Sequence, residues 1–390
     1  MSDPLFGAMF STPDADAAVS GVAWLQAMLD VEAALARAAE ATGLIPPGAG
    51  ERIAGSCTVH HFDVADIGRR ARVSASPVVP LVADLRAVVG ADLAPHVHLG
   101  ATSQDILDTA MGLVASRALG PVGADLAAAA DRLAALADAH RHTPQLGRTL
   151  LQPALPTTFG VVCAGWLVGV DEARVGLAAA RRRLAVQLGG PVGDAAGWGA
   201  SGADVTARVA RDLDLAVPTL PWHTTRNRVA ELAAAISVTG GALATVAQDI
   251  TLLAQGELAE CAEGTPGGSS AMPHKRNPAR SVQVIAAAHR LPGLTATILA
   301  GMPHELQRAA GRWQADWPTV SDLLRLLAAA AAHGRALLGD LQVDAARMRA
   351  NLHGSDPHGD PATRLARSDD LVDRALAAHA DADAACSGTA

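Results

Sequence analysis

The sequence predicts an all-α protein built around a central bundle of long helices, and three observations carry that expectation. Aromatic residues make up only 3% of the chain and tyrosine is absent. β-branched and aromatic runs, the material of strands, are therefore scarce, while alanine recurs in nearly every segment. Apolar residues return at spacings of three and four instead of alternating. Finally, the stretch 221–260 has almost no breaker beyond Gly240 and Gly241, and 277–339 is mainly helical in pattern, with interruptions expected near Pro292, Pro303 and Pro318. Half of the 390 residues are hydrophobic and 18% are charged, enough apolar material for a large core. Long helices with so little charge need partners on several sides, because alone they would expose too much apolar surface. The pattern therefore predicts an oligomeric bundle.

The elements follow in order. A first helix is expected over Asp16 to Thr42, with Trp24, Met28, Val31 and Leu35 on one face and Gly43, Pro46 and Pro47 as its stop. Shorter helices are expected from Asp63 to Ala75 and from Val79 to Val89, and Gly90 to Pro95 breaks the pattern. That break sets a domain boundary: 1–95, then a central unit 96–345, then a shortened C-terminal segment 346–390. In the central unit, helices are expected over Ser103 to Leu119, Pro121 to His140 and Leu155 to Ala185. The last of these ends in Arg181, Arg182 and Arg183, suited to a helix C-terminus. Gln187 to Ala203 reads as a glycine-rich loop. Asn351 to Pro361 reads as another loop, Asp369 to His379 as one short helix, and the final residues as a frayed tail. No repeat of solenoid period is present.

Charge and cysteine usage exclude several classes. Lys plus Arg is 31 against 39 for Asp plus Glu, a formal charge of −8. A nucleic-acid binder needs a basic face, so none is expected. A small anionic substrate needs only a local cationic pocket. Cys57, Cys163, Cys261 and Cys386 are too scattered for a disulfide framework or a zinc site and read as inert thiols of a reducing cytosol. The adjacent His60 and His61 read as a loop or helix-entry feature, and no metal or other cofactor is expected. The N-terminus lacks a signal-peptide pattern. The uncharged stretches Thr149 to Val170 and Leu232 to Gln248 read as buried bundle helices instead of membrane spans. A cytoplasmic protein with no membrane partner is expected.

Gly267 to Pro278, GGSSAMPHKRNP, concentrates the chemistry. Glycines give backbone freedom, Ser269 and Ser270 give hydroxyls, and His274, Lys275 and Arg276 give cationic donors. Asn277 and Pro278 suit the cap and first position of the next helix. Such a loop fits an anionic substrate. His98 to Asp105, HLGATSQD, places Thr102 and Asp105 at capping-box spacing with Ser103 opening a helix. Free N–H groups and two hydroxyls there can hold a carboxylate.

GSSAMPHKRNP resembles the signature loop of the fumarase/aspartase superfamily, G-S-S-x-M-P-x-K-x-N, at every fixed position: Gly268, Ser269, Ser270, Met272, Pro273, Lys275 and Asn277. HLGATSQD is similar to the superfamily's first region and GRTLLQPA, from Gly147, to its second. Members commonly carry histidine after the Arg-Thr pair, where this chain has Leu150. The departure argues against an adenylosuccinate lyase. Together with MPHELQRAAGRWQADW from Met302 and PWHTTRNRVAEL from Pro221, it resembles the 3-carboxy-cis,cis-muconate cycloisomerases of bacteria.

The resemblance implies three all-α domains, a homotetramer whose active sites draw on several subunits, and a C-terminal domain here much shortened. It implies intramolecular addition of a carboxylate across a double bond, with Ser269 and Lys275 catalytic. Thr102, Ser103, Gln152, Ser270, Asn277 and Arg308 would hold the substrate, with His223 and Arg226 as weaker candidates. For Arg148 a structural ion pair is the stronger reading, and Trp313 and Trp317 read as packing. The alternatives are another lyase of the superfamily, such as an adenylosuccinate lyase or one acting on a substituted succinate, and a non-catalytic helical scaffold.

Overall fold

The computed structural model describes residues 5–352 and 361–387. Helices dominate. The N-terminal part holds α1 (Pro13–Ala18), α2 (Gly21–Ala41), α3 (Ala49–Ser56), α4 (Val64–Ser74) and α5 (Val78–Val89). The single helix expected from Asp16 is interrupted because Ser20 starts a new one, its hydroxyl accepting the Ala23 N–H at 3.1 Å. Residues 59–61, with both adjacent histidines, form a 3₁₀ turn.

The bundle consists of α6 (Ser103–Ala139), α7 (Phe159–Arg182), α9 (Asn227–Leu253), α10 (Ala279–Gly301) and α11 (Arg312–Gly339), with the short α8 (Gly202–Asp212) resting on α2. α10 packs between α9 and α11, α6 lies against α7 and α11, and α7 against α9. The break expected at Pro121 does not occur, and α6 is one helix of 37 residues. A proline in a helix interior costs about 3 kcal/mol, but Ala118, Leu119, Val122 and Leu126 are buried on either side of it. Tertiary packing holds the helix through the defect. Helices α9 and α10 are each long and apolar enough to cross a membrane by composition, yet both pack along neighbouring bundle helices.

Two local differences concern the site. The helix expected from Leu155 begins only at Phe159, because the preceding residues form a hairpin of β1 (Pro144–Thr149) and β2 (Gln152–Thr158). Pro153 and Pro156 disfavour helix there, and Thr158 caps α7 through the Val161 N–H. A second pair, β3 (Cys261–Ala262) with β4 (Gln342–Val343), ties the end of α9 to the segment after α11. α12 (Ala345–Ala350) follows.

The frayed tail is the other correction. α13 (Pro361–Ser387) is helical through most of the region expected to be loose, whose last residues, 388–390, lie outside the described ones. Docking onto α6 and α7 explains it. Val372, Ala375 and Ala382 are buried. Arg174 joins Asp171 and Asp383, His379 sits between Asp171 and Asp131, and Arg141 reaches Asp369 and Asp373. The loop expected at 351–361 lies, from 353 to 360, outside the described residues. Cys57, Cys163 and Cys261 are buried. Burial pushes the Cys57 and Cys261 thiols up to about 12, as inert thiols require.

Candidate active site

One end of the bundle gathers the first motif. Thr102 caps α6, and its N–H donates to the Asp105 carboxylate at 3.0 Å. Ser103 opens the helix. Arg308, on the irregular connection between α10 and α11, donates to Thr102 Oγ1 at 2.8 Å and to the Pro191 carbonyl at 3.1 Å. Both partners are neutral, and no described carboxylate pairs with this guanidinium. A cation without a counter-charge beside the N-terminus of a 37-residue helix is an arrangement for binding an anion.

Asp105 organises this end. Fully buried, its carboxylate accepts from Thr102 N, Gly189 N (2.9 Å), Gly190 N (2.8 Å), Gln187 Nε2 (3.3 Å) and His223 Nε2 (2.7 Å). His223 is thus packed against the same turn as Arg308. Arg226 has a different role. It is buried on Asp108 at 2.6 Å and Asp316 at 2.8 Å, with Trp313 Nε1 also donating to Asp108. Burial disfavours the Arg226 charge, but the two aspartates outweigh it and its pKa rises. Burial moves the Asp316 carboxyl up. Arg226 is therefore engaged within the core. Trp313 packs edge-on against Trp317.

The opposite end holds the other two motifs. The backbones of Gly267 and Asn277 pair at 2.8 and 3.0 Å and close the base of the signature loop. Asn277 does not cap α10 as expected. Its side-chain amide donates across the loop to the Gly268 carbonyl at 2.8 Å, and the capping duty passes to Glu263. That buried carboxylate accepts from Arg280 N, Ser281 N and Ser281 Oγ at 3.1, 2.9 and 2.8 Å. Ser269 Oγ accepts from the N–H groups of Ala271 (3.3 Å) and Met272 (3.1 Å). Two amides aimed at one hydroxyl oxygen stabilise its anion, which is what a serine base needs. Ser270 and Lys275 are exposed on the same loop.

The hairpin carries the second motif at this end. Arg148 forms a bidentate pair with buried Glu260, at 2.5 and 3.1 Å, joined by Gln145 and Asn351. Burial opposes the Glu260 charge, but Arg148 and the other donors hold its carboxyl below the usual range. Arg148 is thus the structural ion pair expected. At the tip, Leu150 and Leu151 have φ of 52° and 63° and are 96% and 70% exposed. Gln152, beside them, is exposed.

One chain therefore separates its motifs. Thr102, Ser103, Arg308 and His223 lie at the start of α6 and α9. Ser269, Ser270, Lys275, Asn277 and Gln152 lie beyond the far ends of those helices. At 1.5 Å per residue, α6 is about 55 Å long and α9 about 40 Å. Sequence reasoning missed Asp105 as a hub, and missed Glu260 and Glu263 altogether. Glu260 and Glu263 stand with Glu257 at a spacing of three after an apolar helix, and nothing local marks which of them is buried.

A family model described as lyase matches residues 13–293. A 3-carboxy-cis,cis-muconate cycloisomerase of Bradyrhizobium diazoefficiens is 42% identical over 363 residues, 91% of this chain and 80% of that protein. A nitrosuccinate lyase of Streptomyces davaonensis is 43% identical over 351 residues, 86% of this chain and 74% of that protein. The crystal structure of 3-carboxy-cis,cis-muconate lactonizing enzyme from Pseudomonas putida superposes with a TM-score of 0.91 at 34% identity, covering 98% of this chain and all of that one. The all-α bundle, the intact signature loop and these likenesses together place the chain in the lyase family of the fumarase/aspartase superfamily.

Proposed function

We propose that the protein is a 3-carboxy-cis,cis-muconate cycloisomerase. The observation that carries this is the signature loop, where Ser269 Oγ sits on two backbone amides beside Lys275, in a chain 42% identical to a cycloisomerase over nine-tenths of its length.

A substrate carboxylate oxygen adds to one carbon of the conjugated double bond. The electron pair of that bond moves toward the neighbouring carboxylate, giving a dianionic, enolate-like species. Ser269 passes its hydroxyl proton to the carbon beside that carboxylate and regains one from solvent, and carboxymuconolactone results. Lys275 and Asn277 stabilise the developing charge, which is costly unless cations and dipoles are aimed at it in advance. Thr102, Ser103, Ser270, Gln152 and Arg308 hold carboxylates, His223 lends support beside them, and Arg226 fixes the α6–α9–α11 contact beneath.

The chemistry is consistent with Leu150. In reverse, the bond that breaks expels a carboxylate, which leaves as a stable anion and needs no proton. The histidine common at this position has no leaving group to protonate here.

The separation of the motifs supports a homotetramer with active sites shared between subunits, since no single chain brings Ser269 to Arg308. Val238 on α9 and Val282 and Leu299 on α10 are exposed in the isolated chain, and a partner bundle would cover them. We place the protein in the cytoplasm and retain the division 1–95, 96–345 and 346–390.

Loss of diene absorbance on adding 3-carboxy-cis,cis-muconate, with lactone as product, tests the reading. Ser269→Ala is expected to lower kcat by about 10²–10⁴-fold, the range for removing a positioned proton carrier. A folded tetramer that leaves the diene intact would sink it. The likeness to a nitrosuccinate lyase favours one second reading, elimination of an anionic group from a substituted succinate. The same assay with nitrosuccinate separates the two.

A further inference from the structure

His223 is buried between the first turn of α6 and the turn at 189–193, yet only one of its nitrogens is engaged. Nε2 lies 2.7 Å from Asp105 Oδ1. Every other partner of that carboxylate is a donor: Thr102 N, Gly189 N, Gly190 N and the Gln187 amide. The Gln187 amide is oriented by its own oxygen, which accepts from Trp222 N. Asp105 thus acts as an acceptor throughout, so Nε2 carries the hydrogen and donates it. The free atom is Nδ1. It bonds no described residue and, unlike the two nitrogens of His304, is not sealed among the unpaired atoms of the core.

The turn that faces the ring is glycine for a reason. A Cβ at Gly189 would come within 3.0 Å of the ring's Cε1, and one at Gly193 would lie 3.6 Å from Nδ1. Gly190 and Gly193 also have φ of +68° and +85°. The same turn presents the Pro191 carbonyl to Arg308, which reaches on to Thr102. The open nitrogen of His223, the unpaired guanidinium and the helix N-terminus therefore surround one turn.

We propose that His223 is a carboxylate ligand of this end of the site and takes up one proton at Nδ1 when a polycarboxylate enters. The inference rests on the reading of this end as a carboxylate pocket. An unprotonated Nδ1 presents a lone pair and repels a carboxylate. Protonated, it donates a charge-assisted hydrogen bond, with Asp105 as the buried counter-charge. The proton comes from solvent on binding and returns when the ligand leaves, so no co-reactant is consumed. The other charged groups on the elements around the ring are Asp108 on α6, Arg226 at the cap of α9, Asp316 on α11, Asp194 just after the glycine turn, and His304, Glu305 and Arg308 on the α10–α11 connection. His304 is the competing proton carrier. Burial, and then Arg226, hold its pKa down.

Calorimetric titration of the assembled protein with tricarballylate, a saturated tricarboxylate, in buffers of different ionisation enthalpy tests this between pH 7 and 9. The expected result is uptake approaching one proton per site, with Kd weakening by up to about tenfold per pH unit. His223→Gln should remove both the uptake and the pH slope, and His304→Gln should keep them. Binding without proton uptake in the wild type overturns the proposal without need of any variant. So does an absence of binding, uptake that survives His223→Gln, or uptake lost in His304→Gln. Proton-linked binding by a protein that does not turn over 3-carboxy-cis,cis-muconate would leave this inference standing and remove the cycloisomerase reading.

Discussion

At Ser269 the backbone supplies the partners of the hydroxyl oxygen. Two amides converge on Oγ from residues two and three positions later, so the hydroxyl's environment is made by the loop itself. The SSAM-P-K-N spacing was readable for that reason, since its parts are contiguous. Asp105 shows the contrary case. It stands in a quoted motif, but its partners are 82 to 118 residues away, and local spacing revealed only the cap at Thr102. Asp105→Asn replaces one acceptor oxygen with a donor facing other donors. If Asp105 acts through Thr102 and Arg308, KM should rise at least tenfold while kcat changes less, and Arg308→Ala should remove most of that difference, as steady-state kinetics on the double mutant would show. At Glu260 the buried pair with Arg148 makes a pH prediction. Its carboxyl is held below the usual range. The stabilisation is therefore complete above the unfolded value of about 4.3 and is lost as pH falls through the depressed folded value. Glu260→Gln should weaken the acid dependence of the melting temperature and lower that temperature at pH 7.

The hairpin between α6 and α7 departs furthest from what local spacing predicts. Helical spacing continues through 155–158, but two prolines and a capping threonine enforce a strand. Its tip keeps two leucines in left-handed conformation, a state costing roughly 1–2 kcal/mol per residue. Leu151→Gly should therefore raise stability by about 1 kcal/mol, measurable by denaturant unfolding, since the side chain is exposed and little packing is lost. The C-terminal helix α13 gives a second element-scale test. Its docking is held by Arg174, His379 and the buried Val372. Arg174→Ala leaves Asp171 buried with one cation fewer. Hydrogen exchange across 367–387 should accelerate at least tenfold while the α9–α10 amides stay protected.

On the scale of the whole molecule, the bundle holds its motifs apart at its two ends. Helices α6 and α9 begin at the Arg308 end and finish toward the Ser269 end, so their lengths set the separation. If active sites are shared between subunits, mixing the inactive variants Ser269→Ala and Arg308→Ala, unfolding and refolding them together, should recover a fraction of wild-type activity. Some mixed sites would then receive both intact motifs. No recovery from refolded, mixed oligomers would refute sharing. The charge of −8 and the apolar faces of α9 and α10 belong to this scale too. Covering those faces in an assembly leaves the charged surface outward, which favours solubility.

Sequence by itself determined the helical class, the presence of most long helices, the inert thiols and the loop that carries Ser269 and Lys275. Each is a short-range property: propensity, periodicity or contiguous residues. Tertiary structure decided what depends on partners distant in the chain. It carried α6 through Pro121, ordered α13, turned Asn277 from helix cap to loop clasp, and buried Arg226 on two aspartates. It also made Asp105 the acceptor that leaves one nitrogen of His223 free. The physical reason is the same in each case. A buried charge or a helix defect is tolerated only where packing and complementary groups surround it, and a sequence does not show which groups those will be until the chain has folded.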